Sequence, residues 1–355
     1  MREARRRVRV MQSFGAPRAT TNPYITMLDA ALTASPEIEH STFSWPQAIF
    51  GRYDVFHWHW PEGKLNGTTW WKSAGKITLT ALLSARHALS RRIAVVRTVH
   101  NIELPDVDAT RTALLKRIDR QTTLRIMLNE TTAVPLGAPS ALILHGHYRD
   151  WYDRYPHATK VPGRIGTFGG VRRYKSVDAL VDAYAAAVAL DPTLSLRVGG
   201  KASTPQLAAD LRARASELPG VELNLTFLSD AELVELATSS ELIVLAYRFM
   251  HNSGSVLASL SLDRPVLVPR NETNVALANE VGPDWVLMYD GELDEADLLA
   301  ARSSASTIRE GERPDLSRRE WDTAGAAHAD AYRVALRAKR GGGDPPLRQT
   351  DSETE

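Results

Sequence analysis

YRFMHNSGSVLASLSLDRPVLVP, residues 247–269, reads as a strand end, a polar loop, a helix, a turn and a second strand. A strand over 241–245 runs into the loop 248–253, which delivers Gly254 to the start of a helix whose apolar positions include Val256, Leu257 and Leu260. Asp263, Arg264 and Pro265 close that helix, because proline removes a backbone donor and clashes with the preceding turn. Asn252, Ser253 and Ser255 crowd the point where the first helical amides lack partners, and Gly254 admits close approach to the backbone. Such a helix start attracts an anion through its dipole and its amides. Read locally, Ser253 or Ser255 simply caps the helix, so the neighbouring strand ends must decide between a cap and a phosphate site.

Working outward, the same strand and helix rhythm covers the chain. Strands are expected at 8–11, 55–58, 93–99, 125–128 and 141–144, with helices at 24–32, 77–89 and 113–124 between them. Proline and glycine interrupt the pattern over 152–162. A second series then begins, with strands at 164–168, 194–198, 221–227 and 241–245 and helices at 177–190, 205–218 and 230–237. Alternation of this kind predicts an α/β chain with parallel sheets. Residues 1–155 form the expected first domain, 156–339 the second with a long helix over 316–337, and 340–355 a disordered tail.

In open parallel sheets ligands sit beyond the carboxyl ends of the strands, and here those ends are polar and aromatic. Ser13, Phe14 and Gly15, then Asn22, Pro23 and Tyr24, follow the first strand; the second delivers His57, Trp58, His59, Trp60, Pro61 and Glu62. Later ends supply Thr98 to Asn101 and His145 to Tyr148. His57 and His59 share a strand face, as a metal pair would, but no third ligand stands at a recognisable spacing, so no metal site is expected. Packed or sugar-stacking aromatics are the alternative, and for His100 a structural imidazole stands beside a catalytic one.

Bulk properties narrow the function. A chain of 355 residues exceeds what one hydrophobic core usually serves, and 43% apolar residues supply two. Forty-three basic and 42 acidic side chains nearly cancel, which argues against a nucleic-acid partner. Without cysteine, disulfides, thiolate metal sites and cysteine nucleophiles are excluded. Five arginines fall in the first nine residues, but no apolar signal core follows. No window approaches the roughly 20 apolar residues that cross a bilayer. The expected location is therefore cytoplasmic, peripheral at the inner face of the plasma membrane. The segment 64–92 adds to this: Trp70, Trp71, Lys72 and Lys76 at one end and Arg86, His87, Arg91 and Arg92 at the other bracket Ile77, Leu79, Leu82 and Leu83. A basic, tryptophan-bearing amphipathic helix suits an anionic membrane surface, while an ordinary helix would bury those leucines on the sheet.

Several motifs fall in one order: FGGVRRYKSVDALVDAY at 168–184, VGGK at 198–201, and the stretch quoted first. With them the chain resembles the GT-B nucleotide-sugar glycosyltransferases over residues 7–335. NPY at 22–24, HWHWPE at 57–62, TVHN at 98–101, HGHY at 145–148 and NSGSVLASLSLDRPVLVP at 252–269 are similar to bacterial GDP-mannose:glycolipid β-mannosyltransferases of exopolysaccharide assembly, which act on polyprenyl-linked intermediates.

The resemblance implies two Rossmann-like, doubly wound domains facing across a cleft, and transfer of a hexose, with a lean to mannose. The donor would be a GDP- or UDP-linked sugar as co-substrate, and no cofactor is implied. A saccharide or polyprenyl-linked glycolipid would accept the sugar. Donor binding falls to Gly169, Gly170, Arg172, Lys175 and Lys201, together with His251, Asn252, Ser253, Gly254 and Ser255. Cations and amides at the departing diphosphate make a bound metal unnecessary. Asn22, His57, His59 and Trp60 would serve the acceptor, and Glu62 and His100 are the candidates for the catalytic base. In one respect the chain departs from the large retaining GT-B families: His251 and Ser259 stand where those carry two glutamates, which favours an inverting displacement. A nucleotide-sugar epimerase of the same fold, or a non-catalytic nucleotide- or carbohydrate-binding protein, are the competing readings.

Overall fold

The computed structural model describes residues 6–18, 20–100, 107–133 and 139–341. Asn101 of the TVHN motif, Arg2 and Arg5, and nearly all of the expected 340–355 tail lie outside the described residues.

The chain folds as two compact units, one holding the described residues up to Gly146 together with those from Glu320 onward, the other His147–Arg319. In the first, β1 (Val8–Gln12), α1 (Pro23–Ala34), β2 (Ile38–Ser41), α2 (Trp45–Phe50), β3 (Val55–Trp58), α3 (Trp70–Leu89), β4 (Ala94–Val99), α4 (Ala109–Gln121), β5 (Leu124–Met127) and β6 (Ser140–Leu142) alternate. Their strands form one sheet in the order β2-β1-β3-β4-β5-β6, every neighbouring pair parallel.

The second unit starts with the short α5 (Arg149–Tyr152) and continues through β7 (Arg164–Phe168), α6 (Val177–Leu190), β8 (Ser195–Gly199), α7 (Pro205–Ala215), β9 (Val221–Asn224) and α8 (Asp230–Ser239). It is completed by β10 (Leu242–Val244), α9 (Gly254–Ser261), β11 (Val266–Pro269), α10 (Glu272–Val281), β12 (Val286–Tyr289) and α11 (Glu295–Ser306). Its sheet, β12-β11-β10-β7-β8-β9, is also wholly parallel. The core strands are buried on both faces, as β-branched and leucine runs such as Leu242, Ile243 and Val244 require.

The division differs from the expected 155/156 boundary, and the last helix changes sides. Its final stretch, α12 (Ala324–Lys339), packs on β1, β4, β5 and α1 of the first unit. Small residues permit this: Gly325, Ala329, Ala331 and Ala335 are buried in the contact, around Tyr332. The single helix expected over 316–337 is broken, with a 3-10 turn at Ser317–Arg319 and a fresh start after Thr323. Likewise α3 begins at Trp70 rather than at residue 77, because the Thr69 side chain accepts from the Lys72 amide and caps it.

A Cβ at Gly325 would lie 2.7 Å from the Ala31 carbonyl oxygen and 3.1 Å from the Ser35 Cβ. Gly325→Val should therefore destabilise the first unit by about 1–3 kcal/mol through overpacking, read as a lower urea midpoint at unchanged slope. An unchanged midpoint would show that α12 does not dock this closely.

Candidate functional site

Each sheet reverses its strand order once, between β1 and β3 in the first unit and between β7 and β10 in the second. The crevice beyond the carboxyl ends at such a point is where doubly wound sheets bind ligands.

In the second unit this point is built from backbone. After β7, Gly169 takes φ +102°, and a Cβ there would lie 3.2 Å from Lys175 Nζ and 3.5 Å from Ser255 Oγ. Gly200 takes φ +144°, and a Cβ there would meet the Gly169 carbonyl oxygen, so the ends of β7 and β8 touch main chain to main chain. The 3-10 turn Arg173–Lys175 then brings the Lys175 ammonium back over the Tyr247 ring, 4.7 Å from its centroid. Tyr247 donates to Ser255 Oγ at 3.2 Å, or accepts from it. Among the described residues no carboxylate pairs with Lys175, and burial, with Arg172 adding to it, lowers the pKa of its ammonium.

The helix that follows β10 supplies the matching donors. Ser253 caps α9, its side chain accepting from the Val256 amide; the backbone amides of Val256 and Leu257 also go to Ser253. Among the described residues nothing accepts from the amides of Gly254 and Ser255. Capping therefore does not use up the helix start: one side chain holds it, while two amides and the dipole remain. A Cβ at Gly254 would lie 3.2 Å from the Tyr148 hydroxyl, so only glycine leaves that face open. The loop is fixed at both ends. The Arg248 amide donates to the Tyr174 carbonyl at 2.9 Å, and the Asn271 side chain donates to the Met250 carbonyl at 3.0 Å.

In the first unit, polar side chains at the switch point form a buried chain. Gln12 donates from Nε2 to the Tyr332 hydroxyl (3.1 Å) and accepts at Oε1 from His59 Nε2 (3.2 Å). An amide nitrogen only donates and its oxygen only accepts, so a neutral His59 donates from Nε2 and keeps Nδ1 as an acceptor. His59 Nδ1 accepts from His100 Nε2 at 3.2 Å. The Tyr332 hydroxyl also hydrogen-bonds His57 Nδ1 at 2.9 Å, and His57 Nε2 hydrogen-bonds Thr98 Oγ1 at 2.8 Å. All three imidazoles are held neutral: burial pushes the pKa of His59 down to about 3, and those of His57 and His100 well below the usual value, with the neighbouring histidines adding to it.

Trp60 lies over this chain. Its ring stacks on His100 with centroids 3.7 Å apart and planes at 18°, and its backbone is left-handed at φ 43°, ψ 66°, a conformation a bulky side chain rarely adopts. The 3-10 turn Pro61–Lys64 follows directly. It carries Glu62, half-buried, whose carboxylate has no partner among the described residues.

These placements sort the expected site residues. Gly169, Lys175, Gly254 and Ser255 converge, with Asn252 and His251 half-buried on the same loop. Burial lowers the His251 pKa. Gly170, Arg172 and Lys201 lie on the neighbouring loops, Arg172 and Lys201 exposed, and the Lys201 carbonyl accepts from the Val171 amide. In the first unit His59, Trp60 and His100 converge. His57 does not join them as a ligand group, because both its nitrogens are engaged and it has no exposed surface. Asn22 caps α1, its side chain accepting from the Tyr24 amide at 2.9 Å. Trp58 is core, packed on Phe56. Among the described residues no group of three or more His, Asp or Glu is disposed to hold a metal ion. Gln12 and Tyr332 escape the sequence reading, while Thr98 and Tyr247 enter it only as members of strand-end stretches, without a role of their own. Tyr332 carried no local signal, since it reaches the site from the far end of the chain.

Two curated proteins of Xanthomonas campestris pv. campestris, each a GDP-mannose:glycolipid 4-beta-D-mannosyltransferase, are 39% identical to this chain over 343 residues, 96% of this chain and 95% of theirs. The chain belongs to that family. It is a glycosyltransferase, and the solved structures agree with the fold. The Anabaena protein Alr3699/HepE in complex with UDP matches with a TM-score of 0.58 at 13% identity, over 94% of this chain and 97% of that one. AviGT4, a glycosyltransferase involved in avilamycin A biosynthesis, matches with a TM-score of 0.53 at 14% identity, over 93% and 98%. At such identities the likeness is one of fold, and the fold is the expected GT-B type. No family model matches the sequence.

The buried imidazoles make this glycosyltransferase acid-sensitive. His59 and His87 are held near pKa 3 and His328 near 4 by burial, below the unfolded value of about 6.5. The unfolded chain therefore binds more protons as pH falls. Stability of the first unit should drop from pH ~6.5 down to about 3, at up to ~1.4 kcal/mol per pH unit for each histidine. Calorimetry at pH 7 and 5 checks this, and a first-unit melting temperature that does not fall would contradict it.

Proposed function

We propose that the chain transfers mannose from GDP-mannose to a glycolipid acceptor, forming a β1→4 linkage with inversion and without a bound metal, at an anionic membrane face. The donor and acceptor follow the name of the Xanthomonas relatives. The observation that carries the chemistry is the half-buried Lys175 ammonium, unmatched by any described carboxylate and beside the open amides of Gly254 and Ser255. When the sugar leaves, negative charge builds on the diphosphate, and preorganised cations and amides stabilise that charge most in the transition state. Arg172 and Lys201, exposed on the adjacent loops, add to the field, and His251 and Asn252 serve the sugar hydroxyls.

In the displacement, Glu62 takes the proton of the acceptor hydroxyl, the oxygen forms the new bond to C1, and the bond from C1 to the β-phosphate oxygen breaks, releasing GDP. Glu62 suits this role better than His100. Its carboxylate has no partner among the described residues, whereas His100 Nε2 is engaged with His59, and burial and neighbouring histidines make His100 a weak proton acceptor. His100 instead positions Trp60, whose ring covers it, and the pair offers a platform for the acceptor. Inversion is supported by α9 itself: Ser259 is fully buried, its hydroxyl donating to the Ser255 carbonyl at 2.9 Å, and it supplies no carboxylate to a donor.

Incubation with GDP-mannose and a lipid-linked saccharide should yield a product whose anomeric proton and carbon report a β-mannoside by NMR. Conversion of the donor without acceptor to an epimer, or an α-linked product, would overturn the proposal. Lys175→Ala should lower kcat by about a hundredfold or more. Glu62→Gln should lower kcat by about 10²–10⁴-fold with donor KM retained. Full turnover in either variant removes that residue from the mechanism.

A further inference from the structure

The outward face of α3 inverts the usual pattern of a surface helix. Thr80, Ser84 and His87 are buried with Leu83 against the sheet, while Trp71, Gly75, Thr78, Leu82, Ala85 and Leu89 follow one another outward in alternating four- and three-residue steps. That seam carries no charge. Trp70 is 82% exposed, Trp71 57%, Leu82 53% and Leu89 85%. Phe50, 83% exposed, stands beside the same helix, since Arg86 donates to the carbonyls of Ala48 and Gly51 on either side of it. An uncharged seam with tryptophans at one end and leucines toward the other, on a helix of twenty residues about 30 Å long at 1.5 Å per residue, is more than scattered surface hydrophobes explain.

The charges around it have one sign. No Asp or Glu occurs between Glu62 and Glu103, in a chain with 42 acidic residues among 355. Lys72 and Lys76 flank the start of the helix and Arg91 and Arg92 follow its end, and among the described residues none of the four is paired with a carboxylate. A protein partner would have to bring its own carboxylates to both ends of a smooth apolar stripe. An anionic bilayer presents phosphates everywhere along a flat apolar layer, and tryptophan is the side chain best suited to that boundary. Among the described residues no helix is long and apolar enough to cross a membrane, so contact through this face would be parallel to the surface.

We infer that the outward seam of α3, with Phe50 beside it, is the face on which the chain lies flat on an anionic lipid bilayer, its indoles and leucines at the acyl boundary and its lysines and arginines on the headgroup phosphates. This rests on the glycolipid acceptor proposed above and gives it a location: the first unit is held against the surface in which such an acceptor is anchored.

Flotation of the full chain with phosphatidylcholine vesicles, with and without phosphatidylglycerol, tests it. The parent should float only with the anionic vesicles, less so in high salt, and Trp71→Glu with Leu82→Glu should reduce the bound fraction about tenfold or more. The same double variant should keep the parent circular dichroism spectrum and its turnover on a water-soluble short-chain acceptor, and lose turnover on acceptor embedded in vesicles. Failure of the parent to float, or a variant that floats like the parent, overturns the inference. So does a parent dimer in sedimentation that the variant breaks without any vesicle binding, which would make the seam an interface between copies. If flotation behaves as expected but neither acceptor is glycosylated, the proposed reaction fails and the lipid face stands.

Discussion

An ammonium group with no carboxylate beside it is the constraint around which the second unit is arranged. Lys175 is returned by a 3-10 turn to a position over the Tyr247 ring, close against Gly169, whose φ of +102° favours glycine. Burial disfavours the charged form, and this unpaired, half-buried ammonium is what the proposed diphosphate site rests on. The strand order explains why the group sits there: β7 and β10 are neighbours at the reversal of the sheet, so the loops after both open at the same place. Helix α9 begins at the second of these loops, and its first two amides point to the same use as the lysine.

The first unit solves a different problem, that of holding polar side chains still in a buried setting. Gln12, His57, His59, His100, Thr98 and Tyr332 satisfy one another in a single chain of hydrogen bonds, in which the Gln12 amide oxygen selects the tautomer of His59. The consequence for chemistry is a division of labour. The imidazoles are kept neutral and fixed, while the partnerless carboxylate of Glu62 lies on the rim that Trp60 and Pro61 build beside them.

Much of this architecture could be read from local pattern. The strands at 55–58 and 164–168 and the helix at 177–190 have the bounds their periodicity predicts, and the convergence of Gly169, Lys175 and Gly254 follows from strand ends in a doubly wound sheet. What escaped is non-local or weakly patterned. Strand β2 has only Ile38 buried, too little apolar signal for an edge strand. Helix α12 is alanine-rich and says nothing by itself of which unit it covers. Because Tyr332 arrives on that helix, the use of both nitrogens of His57 was invisible too, and a histidine at a strand end reads as a ligand until the distant hydroxyl is placed beside it. The leucines of α3 show the reverse case: their spacing is helical, but only the fold tells which of them faces outward.

The proposed reaction requires that the second unit bind a nucleoside diphosphate at the start of α9. A crystal structure of the protein soaked with GDP tests it most directly. Diphosphate oxygens are expected at hydrogen-bonding distance, about 3 Å, from the Gly254 and Ser255 amides and from Lys175 Nζ. A diphosphate bound elsewhere, with those three groups left bare, would contradict it.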